Sequence, residues 1–159
     1  MSEIIGTLIK MGIALFLVAI VVVLGAKGFK SSELAAEQQR LATIVSNVKI
    51  LYANSPNYNG LNTSVAIKAG VFPKDMVSGT SVYNKWKGAV KVSGSGNTFT
   101  ISYAGVPKDA CINLLSNFKD GSLINVKVNG KALSTVPPTP AQATVACNKD
   151  SNTIEWSFH

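Results

Sequence analysis

Between Met11 and Ala26 the chain reads MGIALFLVAIVVVLGA, without one charged side chain, and its apolar character extends upstream through Ile4 to Ile9 with only Lys10 between. At about 1.5 Å per residue, a helix from Ile4 to Ala26 is long enough to cross the hydrocarbon core of a bilayer, and Lys10 near its upstream end can snorkel to the interface. A cleaved secretory signal is one reading. It needs a basic start and small residues before the cut, whereas this chain carries Glu3 early, and Val23, Leu24, Gly25 and Ala26 make a mediocre cleavage site. A single-pass anchor is a second reading, which predicts a polar break after the apolar run.

No such break is present. Ser31 to Tyr52 contains no proline and places Leu34, Leu41, Ile44, Val45, Val48, Leu51 and Tyr52 at spacings of three and four, the signature of one apolar helical stripe. Glu33, Glu37, Gln38, Arg40, Ser46 and Asn47 occupy the opposite face. The third reading is therefore one continuous helix from about Ser2 to Tyr52, roughly 75 Å long, far longer than a bilayer requires. Its lower half has to be buried in lipid or in other copies of itself. Gly6, Gly12, Gly25 and Gly28 punctuate that half, each weakening the helix by up to about 1 kcal/mol relative to alanine. Three regions are expected: an apolar transmembrane or filament-core helix over 1–28, an amphipathic continuation over 29–53, and a globular head over 54–159.

The head reads as α+β. Asn54 to Gly60 is rich in turn formers and ends the long helix. Thr63 or Ser64 is expected to cap a short helix running to about Ala69 and stopped by Gly70, with Phe72 and Pro73 leading into loop. A hairpin is expected from Lys87–Val92, a turn over SGSGN, and Thr98–Tyr103. Pro107 falls at a first helical position, and Cys111, Ile112, Leu114, Leu115 and Phe118 form a second apolar stripe. Leu123–Val128 alternates, Asn129 and Gly130 signal a tight turn, Lys131–Leu133 returns as a short strand, and Thr153–Phe158 is the last. The sum is an antiparallel sheet with helices packed on one side.

Composition narrows the function. The net charge is +7, but the basic residues are scattered singly and Arg40 is the sole arginine, unlike the clustered arginines and stacking aromatics of nucleic-acid modules. A solvated basic surface, able to draw the head toward anionic cell surfaces, is the simpler account. No histidine accompanies a serine or cysteine nucleophile, no carboxylate pair suggests a pocket, and Gly94, Ser95, Gly96 lacks the lysine and context of a phosphate loop. The chain is expected not to be an enzyme and to need no metal or cofactor. Exposed aromatics such as Tyr83 and Trp86 suit packing in a core or between subunits better than a ligand. Cys111 and Cys147 are the only cysteines; in an exported chain an even count favours a disulfide, with two free thiols as the alternative.

A greasy helical half that protrudes, followed by an amphipathic half that docks on a small head, resembles the type IV pilins. The stretches YNGLNTSVAIKAGVFPKDMV, NKWKGAVKV and TFTISYAGVPKDAC, with a second cysteine close to the last strand, are similar to the type IVb branch and within it to the PilS-like pilins of thin conjugative or adhesive pili. The resemblance implies a pilin fold and a Cys111–Cys147 bridge. It also implies a modified, N-methylated terminus at Met1 and a carboxylate that pairs between subunits. Family members carry that glutamate at the fifth place of the mature chain; here the only acid before Glu33 is Glu3, at the third. Candidate partners for Glu3 are a neighbour's Met1 amine and Lys10, which lies about 10.5 Å away along one helix and so has to come from another subunit.

The leading functional expectation is a major pilin. It is stored in the inner membrane, processed by a prepilin peptidase and extracted by pilus assembly machinery into an extracellular filament of identical subunits. Such a filament serves conjugative mating contact or adhesion to a recipient-cell or host surface, with no specific nucleic acid bound. The second expectation is a monomeric membrane-anchored binding module, or a minor pilin or pseudopilin of a secretion or DNA-uptake system.

Overall fold

The computed structural model describes residues 33–159. The apolar segment 1–28, with Met1, Glu3 and Lys10, lies outside them. The chain divides into two compact units, Met1–Ala36 and Glu37–His159, and the second contains the whole of the sheet. Among the described residues no helix is long and apolar enough to cross a membrane.

Helix α1 covers 33–51. Leu41, Ile44, Val45 and Val48 of the expected stripe are each no more than 1% exposed, whereas Leu51, also expected in it, is exposed and Glu37, expected on the opposite face, is fully buried. After a turn-rich passage come α2 (Thr63–Lys68), a single 3-10 turn (Lys74–Met76), and a two-stranded ribbon of β1 (Val77–Ser78) and β2 (Ser81–Val82). The main sheet is built from β3 (Val90–Ser95), β4 (Thr98–Val106), β5 (Leu123–Val128), β6 (Lys131–Ala132) and β7 (Asn152–Phe158), in the order β3-β4-β7-β5-β6. Every pairing is antiparallel. Helix α3 (Lys108–Asn117) connects β4 to β5, and α4 (Pro140–Ala146) lies between β6 and β7.

One face of this sheet makes the core. Alternation aligns Val90 with Tyr103 and Val92 with Ile101, and Phe99, Ile101 and Tyr103 with Phe158, Trp156 and Ile154. Val126 and Val128 meet Trp156 and Ile154 from the other side. All ten are buried. Phe118, at the end of α3, lies edge-on to Trp156 and Phe158, with ring centres 6.1 and 6.2 Å apart. A fully buried side chain of this size is worth roughly 1.5–3 kcal/mol, so the central strand carries much of the head's stability.

Polar contacts fix α1 at both ends. Glu37, fully buried, accepts a hydrogen bond from Arg40 at 2.6 Å, and Arg40 also donates to Asp75. Burial nonetheless pushes the Glu37 carboxyl above its ordinary range, outweighing Arg40 and the Lys85 backbone amide. Burial and then the Glu37 charge push the Tyr103 phenol up as well. At the far end Lys49 reaches Asp120 and Ser122, and Asn47 donates to the Val71 carbonyl at 2.9 Å. Burial opposes ionisation of Asp120, but the Ser122 and Lys49 hydrogen bonds outweigh it and hold the carboxyl below its usual range.

Several boundaries differ from expectation. Lys87 has φ +64, a left-handed conformation that no strand accommodates, so β3 starts at Val90. It continues through Ser95, because Gly94 and Ser95 pair with Phe99 and Thr98. The turn is Gly96 and Asn97 alone, with Gly96 at φ +58 in the first central position. Helix α2 is capped by Asn62, whose Oδ1 accepts from Val65 N–H at 2.9 Å. The Thr63 hydroxyl is occupied by β3 instead, accepting from Val92 N–H at 3.1 Å. Pro107 stands just before α3 as its cap.

Gly88 lies so close to β4 that a Cβ would sit 1.8 Å from the Ala104 carbonyl oxygen. Gly88→Ala is expected to destabilise the head by at least ~2 kcal/mol, in the range of overpacking, read from the urea midpoint. Acid titration separates the two carboxylates. Asp120, with its folded pKa lowered, contributes stability above its unfolded pKa that is lost as pH falls through the folded value. Glu37, with its folded pKa raised, instead stabilises the fold as pH falls through its folded value toward 4.5. Glu37→Gln is therefore expected to lose ground against the parent over that interval, and Asp120→Asn to gain ground only below about pH 4.

Candidate functional site

The head carries its most constrained surface in the C-terminal half. Cys111, on the buried side of α3, and Cys147, which ends α4, are both fully buried. They form a disulfide with Cα atoms 5.9 Å apart across a sequence separation of 36. Helix α4 has no counterpart among the elements expected from the sequence. It forms because Thr139 and Gln142 make a reciprocal capping box and Pro140 occupies the first turn, where its missing N–H is harmless.

Asn152 organises the strand end beneath it. Fully buried, it donates from Nδ2 to the Val106 and Lys149 carbonyls at 3.2 and 2.7 Å. Its Oδ1 accepts from Lys149 N–H at 3.2 Å and from Asn129 Nδ2 at 3.0 Å. One side chain thus joins the end of β4, the β5–β6 turn and the segment after Cys147. Asn129 closes the arrangement by exchanging backbone and side-chain hydrogen bonds with Thr153. Nothing in the sequence pattern singles out Asn152, because its partners are carbonyls whose proximity depends on the tertiary fold.

Between the β5–β6 hairpin and α4 this framework leaves an open groove of about 740 Å³, with Val128, Leu133, Ala141 and Val145 on its walls and Lys131 and Lys149 at its rim. Val145 is 76% exposed. The groove lining has one hydroxyl, Ser134, and no histidine, cysteine or carboxylate beside it, and among the described residues no group of three or more His, Cys, Asp or Glu is placed to hold a metal. Its chemistry is that of a contact surface. Tyr83, expected in packing, is 43% exposed on the head, and Trp86 is half-buried.

Removing the disulfide by Cys111→Ala with Cys147→Ala is expected to cost about 4 kcal/mol in the chain-entropy account, visible as a lower urea midpoint and protease cleavage between α3 and α4. Asn152→Ala leaves two carbonyls without their donor and is expected to cost about 2–3 kcal/mol, with the largest rise in hydrogen exchange at Asn129 and Thr153.

Comparison with known proteins places this architecture. Residues 31–159 match the family described as PilS N terminal. Among solved structures, the type IVb pilin from Salmonella typhi superposes with a TM-score of 0.62 at 22% identity, covering 77% of this chain and 97% of that one. TcpA, a type IV pilin from Vibrio cholerae El Tor biotype, superposes with a TM-score of 0.56 at 12% identity, covering 80% of this chain and 99% of that one. No curated protein sequence matches the chain. The family match spans the whole described head, and the sheet, helices and closing disulfide agree with it: the chain belongs to the PilS family of type IVb pilins, and is a structural subunit rather than an enzyme.

Proposed function

We propose that this pilin is the major subunit of a thin extracellular pilus, polymerising through its N-terminal apolar helix into a filament that makes mating contact or adheres to a surface. One observation carries the reading. Helix α1 buries only one stripe, Leu41, Ile44, Val45 and Val48, and the sequence upstream turns apolar on every side without an intervening proline. A helix apolar on every side needs lipid or identical copies around it.

In this proposal the apolar segment over 1–28 anchors the subunit in the inner membrane after prepilin peptidase has trimmed it, and assembly machinery then moves it into the polymer. Glu3 pairs with the Met1 amine of a neighbour, with a neighbour's Lys10, or with both, because a carboxylate among apolar helices is costly unless compensated. Subunits related by an axial offset present a heterologous, non-closing contact, so growth is open-ended.

Electron microscopy of material sheared from the cell surface is expected to show filaments whose principal band is this chain, with N-terminal mass spectrometry giving a methylated Met1. Glu3→Ala is expected to abolish them while the membrane pool of subunit persists. Filaments that survive unchanged in a strain lacking the gene would assign the chain to a minor or anchored role instead.

A further inference from the structure

Where α1 ends, the chain folds over the β3–β4 turn and leaves a second pocket of about 280 Å³, lined by Tyr52, Ser55, Pro56, Asn57, Tyr58, Asn97 and His159. No Lys, Arg, Asp or Glu lines it, although the chain carries a net charge of +7. The lining holds two phenols, one hydroxyl, two amides, one proline ring and the chain's single imidazole. Of these side chains only Asn57 has a hydrogen bond within the described residues, its Oδ1 accepting from Asn59 N–H at 3.0 Å. Tyr52, Ser55, Tyr58, Asn97 and His159 thus keep donors and acceptors for a ligand.

The pocket is also held in shape before any ligand arrives. Tyr58 packs against the buried Phe99 at 4.8 Å and against Tyr52 at 5.6 Å between ring centres. Its N–H donates to the Gly96 carbonyl at 2.8 Å, and Gly96 N–H donates back to Asn59 at 2.7 Å. A Cβ on Gly94 would stand 2.2 Å from the Tyr58 carbonyl oxygen, so the loop rests directly on β3. His159 is tied by its N–H to the Ser122 carbonyl at 3.0 Å.

We propose that this pocket binds a neutral hexopyranose, the terminal sugar of a glycan. Rigid tyrosines offer flat apolar faces for the C–H side of a pyranose, while serine and asparagine supply adaptable hydrogen bonds to its hydroxyls. A lining without lysine or arginine disfavours a sialylated or phosphorylated sugar. The volume suits one ring, below the size of most drug-like ligand sites, and the preformed walls reduce the ordering penalty of binding. The inference goes beyond the filament proposal and stands without it, since the pocket belongs to a single head.

The test uses the full chain in a detergent without a sugar headgroup. Saturation-transfer NMR with methyl galactoside, methyl glucoside and methyl mannoside is expected to show transfer concentrated on one ring face of at least one of them, and none to sialic acid. Tyr52→Ala and Asn97→Ala are each expected to weaken binding about tenfold. Tyr52→Phe retains most of the transfer, and Asn97, exposed on a turn, is removable without unfolding the head. A printed array of mammalian glycans and bacterial O-polysaccharides then identifies the source, with signal on neutral terminal hexoses. Transfer to none of the three glycosides, binding confined to acidic sugars, or affinity unchanged in Asn97→Ala with the fold intact overturns the proposal.

Discussion

Trp156 sits in the middle strand of the sheet, 1% exposed, with Tyr103 edge-on at 5.3 Å and Phe118 at 6.1 Å. Around it, residues from β3, β4, β5 and β7 present a continuous apolar layer. Helix α1 adds its buried stripe, α3 contributes Leu114 and Leu115, and the disulfide ties α3 to the end of α4. The last strand supplies the row on which neighbours on both sides are aligned, so the packing of the head depends on β7 reaching the centre of the sheet.

The polar groups buried with this layer divide into two kinds. Asn152 satisfies its full side-chain capacity with local carbonyls, amides and one side chain, and so specifies how the C-terminal region closes. Glu37 is paired with Arg40 yet stays out of its ordinary ionisation range because burial dominates. Breaking a buried pair on one side is generally more damaging than lacking the pair altogether. Through Arg40, which bonds both Glu37 and Asp75, the arrangement ties α1 to the 3-10 turn over Lys74–Met76.

Local signals are legible in the sequence where a short segment determines its own structure. The alternation of Leu123–Val128 with Asn129 and Gly130 after it defines β5 and its turn, and the spacing of Leu41, Ile44, Val45 and Val48 defines the buried side of α1. Signals in competition mislead. Gly94 and Ser95 look like part of a turn, yet they lie in a strand because Gly94 permits the Tyr58 loop to approach. Pro137, Pro138 and Thr139 are loop, as their composition suggests, but the helix that starts at Pro140 goes unseen unless Thr139 and Gln142 are read as a capping box. Sheet order is not legible, since the β4–β7 and β7–β5 pairings join segments far apart in the chain. The Tyr52, Asn97 and His159 pocket is hidden for the same reason: three remote stretches meet only after the sheet has formed.

A centre strand that comes last in the chain also imposes an order on biosynthesis. Until Asn152 to Phe158 have left the ribosome, β4 and β5 have no strand between them and the aromatic layer stays open to solvent. By then the apolar N-terminus has long since been synthesised. The sheet closes only once 152–158 are available, so a product truncated before Asn152 leaves β4 and β5 with unpaired edges open to proteases.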